Sequence, residues 1–293
     1  MKRVMECPQN VHFIIMECPR SGQSAYIFNF WRGTQNMIIK PDNEMLSYSG
    51  RIDFDDRLAP VLVYACSSIG MKFTGTSLKA VIANHRSCWT NELGYFIDGE
   101  QKRFTLSSDE EKKTYTLAEG LSEGTHELLL FKRMDSCHTF TFYGFEIDDG
   151  AEVLPLPEKP KRKIEFFGDS VSCGEVSEAV EYVGKPDPEH DGEYSNSWYS
   201  YAWMTARKLN AQIHDTSQGG ISLLDDTGWF AAPHYKGVES CYDKIEYHPD
   251  LGPTKPWDFS RYIPHVVVVA IGQNDNHPVD YMAEDYDLSL IHI

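Results

Sequence analysis

The chain has no apolar run long enough to cross a membrane and comparatively few positive charges. Its longest uninterrupted apolar run is Val266–Ile271, far below the roughly 20 residues that a membrane helix needs. It has 27 Lys and Arg against 44 Asp and Glu, a formal net charge of −17 over 293 residues. Phosphate contacts need clustered Lys and Arg. The composition therefore predicts a soluble protein that binds neither nucleic acid nor an anionic membrane.

Cysteine motifs and a secretion signal are also missing. The seven cysteines are scattered, with no C-x-x-C pair and no metal-ligand spacing, which predicts free thiols in a reducing cytoplasm and no metal or other cofactor. Near the N-terminus, Val11–Met16 is shorter than the apolar core of at least about seven residues that a signal peptide requires. We therefore expect a cytoplasmic protein, or a secreted one if the natural N-terminus differs.

Helical periodicity is nearly absent from residues 46–153. Short runs of β-forming residues alternate with turn residues at intervals of about 8–12 positions, which is typical of sandwiches. Asp98-Gly99 lies between two of these runs and suits a hairpin turn, because Gly tolerates positive φ. The pattern predicts a jelly-roll β-sandwich over 46–153 and leaves the N-terminal segment 1–45 undetermined. The predicted strands are Val61–Ala65, Met71–Phe73, Leu78–Ala83, Tyr95–Ile97, Lys113–Leu117, His126–Lys132 and Phe140–Ile147.

The pattern changes after residue 153. Three prolines within Leu154–Pro160 and a basic run to Lys163 predict a linker over 154–163. From 164 to 293 the sequence reads as an α/β domain, and its wholly apolar third strand is typical of a buried parallel strand. The predicted strands are Lys163–Phe167, Ala211–His214 and Val266–Ala270. The predicted helix is capped by Ser197, with Trp198, Tyr201, Ala202, Thr205 and Leu209 on its apolar side.

Glycines and small polar residues end each of these three strands. The segments are Gly168-Asp169-Ser170, Ser217–Gly220 and Gly272–Asp275. The carboxyl ends of parallel strands meet at one edge of a sheet, so a serine hydroxyl, backbone N–H groups and an amide side chain are expected to converge there and stabilise an acyl-transfer oxyanion. The predicted nucleophile is Ser170, and the oxyanion donors are Ser170, Gly219, Gly220 and Asn274, with the choice between the two glycines left open.

This ordered set of motifs resembles the SGNH (GDSL-type) hydrolases and, within them, carbohydrate esterase family 2, whose members remove acetyl groups from plant polysaccharides. Residues Ile164–Gly174 look like the nucleophile block of that family, and Pro264–Asp275 look like its strand-plus-Asn block. Ile69–Leu78 and Tyr95–Gly99 resemble the N-terminal jelly roll. The resemblance covers roughly residues 46–285.

The resemblance implies a jelly-roll domain followed by an α/β SGNH domain with a flavodoxin-like, three-layer architecture around a parallel sheet. It implies a serine esterase that deacetylates xylan, glucomannan or their oligosaccharides through an acetyl-serine intermediate. Ser170 would be the nucleophile, and Asn274 with the Gly219/Gly220 loop would complete the oxyanion hole. One departure concerns that loop, because the family often has Ser-Gly-x-Gly where this chain has Ser217-Gln-Gly-Gly.

No motif supplies the general base. Similar enzymes place a histidine near the C-terminus, usually in D-x-x-H, to take the proton of the serine. His292 stands five positions after Asp287 and too close to the Asn274 strand. We predict structural or surface roles for the other histidines considered, with His277 as the nearest alternative to a base. These are His190, His214, His234, His248, His265 and His277.

The last six residues, Leu288–Ile293, can be back-translated into a transposon end that is used as a sequencing adapter. We hypothesise that the natural frame is lost after Asp287 and that the natural protein is about 50–80 residues longer, an ordinary two-domain length. The catalytic histidine would then lie beyond the present sequence, and this chain would be nearly inactive. Reading the source gene through the codon for Asp287 tests the hypothesis.

Aromatic residues between the strand-end motifs suggest a sugar-binding cleft. Trp229 and Trp257, flanked by Gly228 and Pro256, are the candidates for its wall, and the expected partner is an acetylated oligo- or polysaccharide. Two alternatives stay open: another SGNH acyl-ester hydrolase acting on a lipid or thioester, and a glycan-binding protein without turnover. The second gains weight if the histidine is absent, because an unactivated serine is a poor nucleophile at neutral pH.

Overall fold

The computed structural model describes residues 36–189 and 191–277, together with the backbone of Ile14–Glu17 and Ser24–Ile27. Most of the predicted N-terminal segment 1–45 therefore lies outside the described residues. So do Cys7, Cys18, His190, Asp287, Leu288–Ile293 and His292.

Nineteen strands and three short helices are described in these ranges. The strands are β1 (Ile14–Glu17), β2 (Ser24–Ile27), β3 (Met37–Ile39), β4 (Ser47–Ser49), β5 (Ile52–Asp53), β6 (Val61–Leu62), β7 (Ser68–Thr74), β8 (Leu78–Arg86), β9 (Glu92–Ile97), β10 (Glu100–Thr105), β11 (Lys113–Ala118), β12 (Thr125–Lys132), β13 (His138–Ile147), β14 (Val153–Leu154), β15 (Arg162–Gly168), β16 (Ala211–Asp215), β17 (Lys244–Glu246), β18 (Lys255–Pro256) and β19 (Val266–Ala270). The helices are α1 (Ser170–Cys173), α2 (Tyr201–Lys208) and α3 (Val238–Cys241), and single 3₁₀ turns cover Val180–Tyr182, Ser197–Tyr199 and Phe259–Arg261.

Two six-stranded antiparallel sheets form the N-terminal part. One has the order β10-β9-β12-β7-β14 with β4 also on β7, and the other has the order β11-β8-β13-β6-β5 with β3 also on β13. Alternate residues of each strand point into one shared apolar core, as Leu128 and Leu130 do on β12 while Glu127 faces solvent. The rings of Phe73, Phe140 and other core residues are fully buried between the sheets. The prediction of an N-terminal β domain is confirmed.

A strand is present at each of the seven predicted places. Five are one to three residues longer than expected and β7 is four residues longer, whereas β6 covers only Val61–Leu62 of the predicted Val61–Ala65. The Asp98-Gly99 turn is confirmed: both residues have positive φ, 52° and 85°, and the turn joins β9 to β10. β10 was not predicted, because its first four residues are all polar and three of them are charged. It lies at the edge of its sheet, where charged side chains are favoured since they discourage pairing with other chains.

The α/β part contains a three-stranded parallel sheet with the order β16-β15-β19. The three predicted strands and their parallel pairing are confirmed. The helix prediction needs correction: Ser200, not Ser197, caps α2 by accepting the Trp203 N–H at 3.1 Å. Residues Ser197–Tyr199 form a separate 3₁₀ turn. No helix in the described ranges is long and apolar enough to cross a membrane.

Two expectations about burial in this part are wrong. The buried residues of α2 are Ala202, Trp203 and Ala206, whereas the predicted Tyr201 and Leu209 are exposed. In β19, Val266, Val267 and Val269 are 46–52% exposed. β19 pairs with β15 along one edge, and no described strand pairs with its other edge. An apolar sequence thus marks a strand suited to burial, but burial itself depends on covering elements, which the described residues do not provide.

A buried ion pair joins the sandwich to the parallel sheet. Arg51, next to β5, is 1% exposed and contacts Glu165 of β15, with Nε at 3.1 Å and a terminal nitrogen at 3.0 Å from the carboxylate. The same guanidinium donates to the carbonyls of Tyr242 and Lys244. These bonds satisfy a charge that would otherwise be costly to bury. They hold the sandwich against β15, whose carboxyl end leads to Ser170.

Candidate active site

The end of β15 places Ser170 at the start of α1. Asp169 caps this helix by accepting the Val171 N–H at 3.2 Å. Position 168 requires glycine, since a Cβ there would lie 2.0 Å from the Ser172 hydroxyl. α1 ends after one turn at Gly174, which has φ 81°. The Ser170 side chain is left partly exposed, as the G-D-S motif predicted.

The loop after β16 is tied to the same edge. The Gln218 N–H donates to the Gly168 carbonyl at 3.1 Å, and the Ser217 hydroxyl donates to Asp215 at 2.6 Å. The loop after β19 joins them: the Asn274 side-chain amide donates to the Ile221 carbonyl at 2.9 Å. Three strand ends distant in sequence are therefore held together by hydrogen bonds between their loops.

These loops line one cavity of about 660 Å³. The cavity brings together five of the six predicted site residues, Ser170, Gly219, Gly220, Asn274 and Trp229. It does not include Trp257, whose expected place in the cleft wall is wrong. That side chain is 6% exposed and packs against Arg51, Arg261 and His214. The flanking Pro256 gives no sequence signal for the ion pair that the ring covers.

The two candidate glycines differ in their hydrogen bonding. The Gly219 N–H is already paired, donating to a carboxylate oxygen of Asp135 at 2.7 Å. The N–H groups of Gly220 and Ser170 have no hydrogen-bond partner among the described residues. An oxyanion would have to displace Asp135 to use Gly219, whereas it meets no competitor at Gly220. The structure therefore favours Gly220 and Ser170 as the available backbone donors.

Sequence reasoning missed a pair of acidic residues in this cavity, Asp135 and Glu175. Asp135 comes from the loop between β12 and β13 and also accepts the Gln218 side-chain amide at 2.6 Å. Burial raises the pKa of Glu175 well above its usual value, and the adjacent Asp135 carboxylate raises it further. Both effects favour the protonated form of the Glu175 carboxyl group. No local pattern marks Asp135, which lies 84 positions from Gly219.

One histidine lines the cavity and another stacks on a residue of its wall. His248 lines the cavity, where burial lowers the pKa of its imidazole, and its Nε2 lies 3.1 Å from the Ser87 hydroxyl. His277 stacks on Trp229 with ring centroids 3.3 Å apart. Within the described ranges, neither imidazole forms a hydrogen bond with the Ser170 hydroxyl. Their structural or surface roles stay a prediction.

Asp215, at the end of β16, gives a prediction of pH-dependent stability. Burial raises the pKa of its carboxyl group to about 7, so the folded state retains a proton that the unfolded chain releases near pH 4. Stability from this group falls as pH rises between those values. We expect Asp215→Asn to gain about 2–3 kcal/mol in unfolding free energy relative to the parent between pH 5 and pH 8. Urea unfolding at both pH values measures this gain.

The matched control for Asp215→Asn is Glu119→Gln, which removes an exposed carboxyl group. Its difference from the parent should be the same at pH 5 and pH 8. If the difference in unfolding free energy between Asp215→Asn and the parent were also the same at pH 5 and pH 8, Asp215 would be ionised in the folded protein across this range.

Comparisons with known proteins agree with this geometry. Residues 48–157 match the family model described as carbohydrate esterase 2 N-terminal. The chain is 33% identical over 235 residues to the cellulase/esterase CelE of Acetivibrio thermocellus. It is 27% identical over 260 residues to an acetylxylan esterase / glucomannan deacetylase of Cellvibrio japonicus. A family two carbohydrate esterase from Clostridium thermocellum, solved with cellohexaose, superposes with a TM-score of 0.71 at 29% identity, covering 84% of this chain and 72% of that one.

This chain is similar to family 2 carbohydrate esterases over most of its length. The match to CelE covers 80% of the present chain but only 27% of CelE, whereas the match to the Cellvibrio enzyme covers 87% and 69%. A family two carbohydrate esterase from Cellvibrio japonicus, 24% identical with a TM-score of 0.71, shares the fold. The similarity to family 2 thus extends beyond residues 48–157.

Proposed function

We propose that the chain is part of a serine esterase that removes O-acetyl groups from xylan, glucomannan or their oligosaccharides. The observation that carries this proposal is the convergence of Ser170, the Gly219–Gly220 loop and Asn274 in one cavity at the carboxyl edge of the sheet. A nucleophile beside preorganised N–H donors is what acyl transfer requires. The names of the relatives, acetylxylan esterase and glucomannan deacetylase, support an acetylated glycan as the substrate.

In this proposal the Ser170 hydroxyl attacks the acetyl carbonyl, and the sugar leaves as an acetyl-serine forms. The N–H groups of Ser170 and Gly220, with the Asn274 amide, face the oxyanion of the tetrahedral intermediate. Water then releases acetate. Attack needs a base for the serine proton, and we assign this role to a histidine outside the described residues, since no described group hydrogen-bonds the Ser170 hydroxyl.

We further propose that the two sheets form a jelly roll and that residues 164–293 belong to an SGNH-type domain with a flavodoxin-like sheet. The proposed boundaries are a sandwich over 46–153 and a linker over 154–163. Residues 155–161 carry no regular element, between β14 and β15, which is consistent with a linker. The exposed valines of β19 fit a sheet that continues beyond this strand.

The proposal is tested by acetate release from acetylated glucomannan and acetylated xylan. The protein for this and the other activity measurements is the full product of the source gene, because the 293-residue chain is expected to be nearly inactive. We expect release from both, with rates on synthetic esters falling steeply from acetyl to longer acyl chains. Equal or higher rates on long acyl chains or thioesters would favour the alternative SGNH hydrolase. Glycan binding without acetate release, and without labelling of Ser170 by a fluorophosphonate probe, would favour the binding protein.

Trp229 is the candidate platform for the sugar ring. Its side chain is 59% exposed and lines the cavity beside Ser170, and its backbone N–H donates to the Gly220 carbonyl at 2.7 Å. Trp229→Ala keeps that backbone bond and removes the aromatic face. We expect KM for acetylated glucomannan to rise about ten-fold with little change in kcat. Steady-state kinetics on the oligosaccharide measures both constants.

Tyr199→Ala is the matched control for Trp229→Ala, because Tyr199 is an exposed aromatic that does not line the cavity. It should leave KM unchanged. A similar rise in KM for both variants, or none for Trp229→Ala, would argue against a stacking role for Trp229.

A further inference from the structure

Two cysteines meet at the rim of the Ser170 cavity. Cys88 lies in the loop after β8, Cys137 lies in the loop before β13, and both line the cavity. The Ser87 N–H and hydroxyl both donate to the Cys137 carbonyl, at 2.9 and 3.0 Å. These bonds extend the antiparallel register of β8 and β13 by one residue and place Ser87 opposite Cys137. Cys88 directly follows Ser87, whose hydroxyl also lies 3.8 Å from the Cys88 sulfur. The two cysteines therefore lie on adjacent loops at one rim of the cavity.

The two thiols differ in exposure and in acidity. Cys88 is exposed, whereas Cys137 is buried. The Cys137 thiol donates a hydrogen bond to the Cys88 sulfur, which lowers the pKa of the Cys88 thiol to about 7. Burial raises the pKa of the Cys137 thiol well above its usual value. An accessible thiolate beside a protonated thiol is the arrangement of an attacking and a resolving cysteine.

Charged groups surround the pair on several sides. The carboxylates of Asp135 and Asp250 face Cys88 and raise the pKa of its thiol, so they oppose the effect of the Cys137 hydrogen bond. At Cys137, the Asp135 carboxylate raises the pKa of the thiol, whereas the ammonium group of buried Lys132 lowers it. The hydrogen bond outweighs the two carboxylates at Cys88, and the thiolate forms there near neutral pH.

We propose that Cys88 and Cys137 are a redox-active pair and a modification site for small-molecule disulfides such as glutathione disulfide. The Cys88 thiolate attacks one sulfur of the disulfide, which forms a Cys88–glutathione mixed disulfide and releases a glutathione thiolate that takes up a proton. Cys137 then loses its proton to solvent and attacks the Cys88 sulfur, releasing the second glutathione. Two protein thiols are oxidised to a disulfide while glutathione disulfide is reduced to two glutathiones.

The pair also belongs to the candidate active site. The loop that carries Cys137 carries Asp135, which accepts the Gly219 N–H. A Cys88–Cys137 disulfide therefore cross-links two sandwich loops that line the cavity. The proposal itself rests on the thiols and stands whether or not the chain is an esterase.

The test is to incubate the full chain with glutathione disulfide at pH 7.5 and to follow thiol pairing by non-reducing peptide mapping. We expect Cys88–Cys137 to form at least about ten-fold faster than any modification of buried Cys66, Cys173 or Cys241. In Cys137→Ser, the reaction should stop at the Cys88 mixed disulfide. In Cys88→Ser, Cys137 should stay reduced.

Equal rates at Cys88 and the buried thiols, or a Cys88 mixed disulfide in the parent that never resolves, would overturn the proposal. Far-UV circular dichroism checks that each variant is folded. Cys137→Ala provides a second resolving-cysteine variant if Cys137→Ser is not folded, with the same mixed disulfide expected.

Discussion

In the full product of the source gene, Ser170→Ala should lower the rate of acetate release from acetylated glucomannan by about 10⁴-fold or more. The serine oxygen forms the covalent acetyl-enzyme, and Ser170 lines the cavity. The neighbouring Ser172 and Ser217 are buried, and their hydroxyls are hydrogen-bonded to Tyr201 and Asp215. The residual rate of the variant would come from direct attack by water, with the oxyanion stabilised by the Gly220 N–H and the Asn274 amide. Initial rates with the parent and the variant at matched concentrations, over a range of substrate, give the loss in kcat/KM.

The control for Ser170→Ala is Ser177→Ala, four positions beyond α1. The Ser177 hydroxyl donates to the Asn196 carbonyl at 2.9 Å and does not line the cavity. It should keep the parental rate within about two-fold, since loss of one partly exposed hydrogen bond costs little. If Ser170→Ala retained the activity of Ser177→Ala, the nucleophile would have to be another residue.

Glu165→Gln should lower the free energy of unfolding by about 3–5 kcal/mol. The substitution keeps the shape of the side chain but leaves the Arg51 guanidinium buried without a counter-charge. Arg51 has no path to water, because the rings of Tyr64, Phe167, Trp257 and Phe259 lie within 6 Å of it. Chemical unfolding at neutral pH, monitored by tryptophan fluorescence, measures the loss.

Two further variants define what the loss means. The exposed pair of Lys72 and Glu127, at 3.0 Å, provides the control, and Glu127→Gln should cost less than about 1 kcal/mol. The double variant Arg51→Met with Glu165→Leu should recover most of the stability, because the penalty comes from one unpaired charge. A loss for Glu165→Gln no larger than for Glu127→Gln would show that water reaches Arg51.

Much of the β domain could be predicted from sequence because its strands and turns are specified by residues that are close together in the chain. Alternation of apolar and polar residues specifies a half-buried strand, and Asp98-Gly99 specifies the turn between β9 and β10. The strands that were not predicted are short or lie at the edge of a sheet. An example is the edge strand β10, whose charged residues show no apolar pattern because packing at an edge does not require one. For α2, Ser200 rather than Ser197 is the cap, because residues Ser197–Tyr199 form a separate 3₁₀ turn before the helix begins.

The nucleophile and the oxyanion loops were visible because each follows its own strand, and parallel strands bring their carboxyl ends to one edge. The sequence by itself thus determined that Ser170, the Gly219/Gly220 loop and Asn274 would meet, with the choice between the two glycines left open. Only the tertiary structure decided which N–H groups are unpaired and which carboxyl groups enter the cavity. Asp135 accepts a hydrogen bond from Gly219, which is 84 residues away in sequence. Trp257, which was predicted to line the cleft, packs against Arg51 instead. Such contacts arise from packing between distant segments, which no local periodicity records.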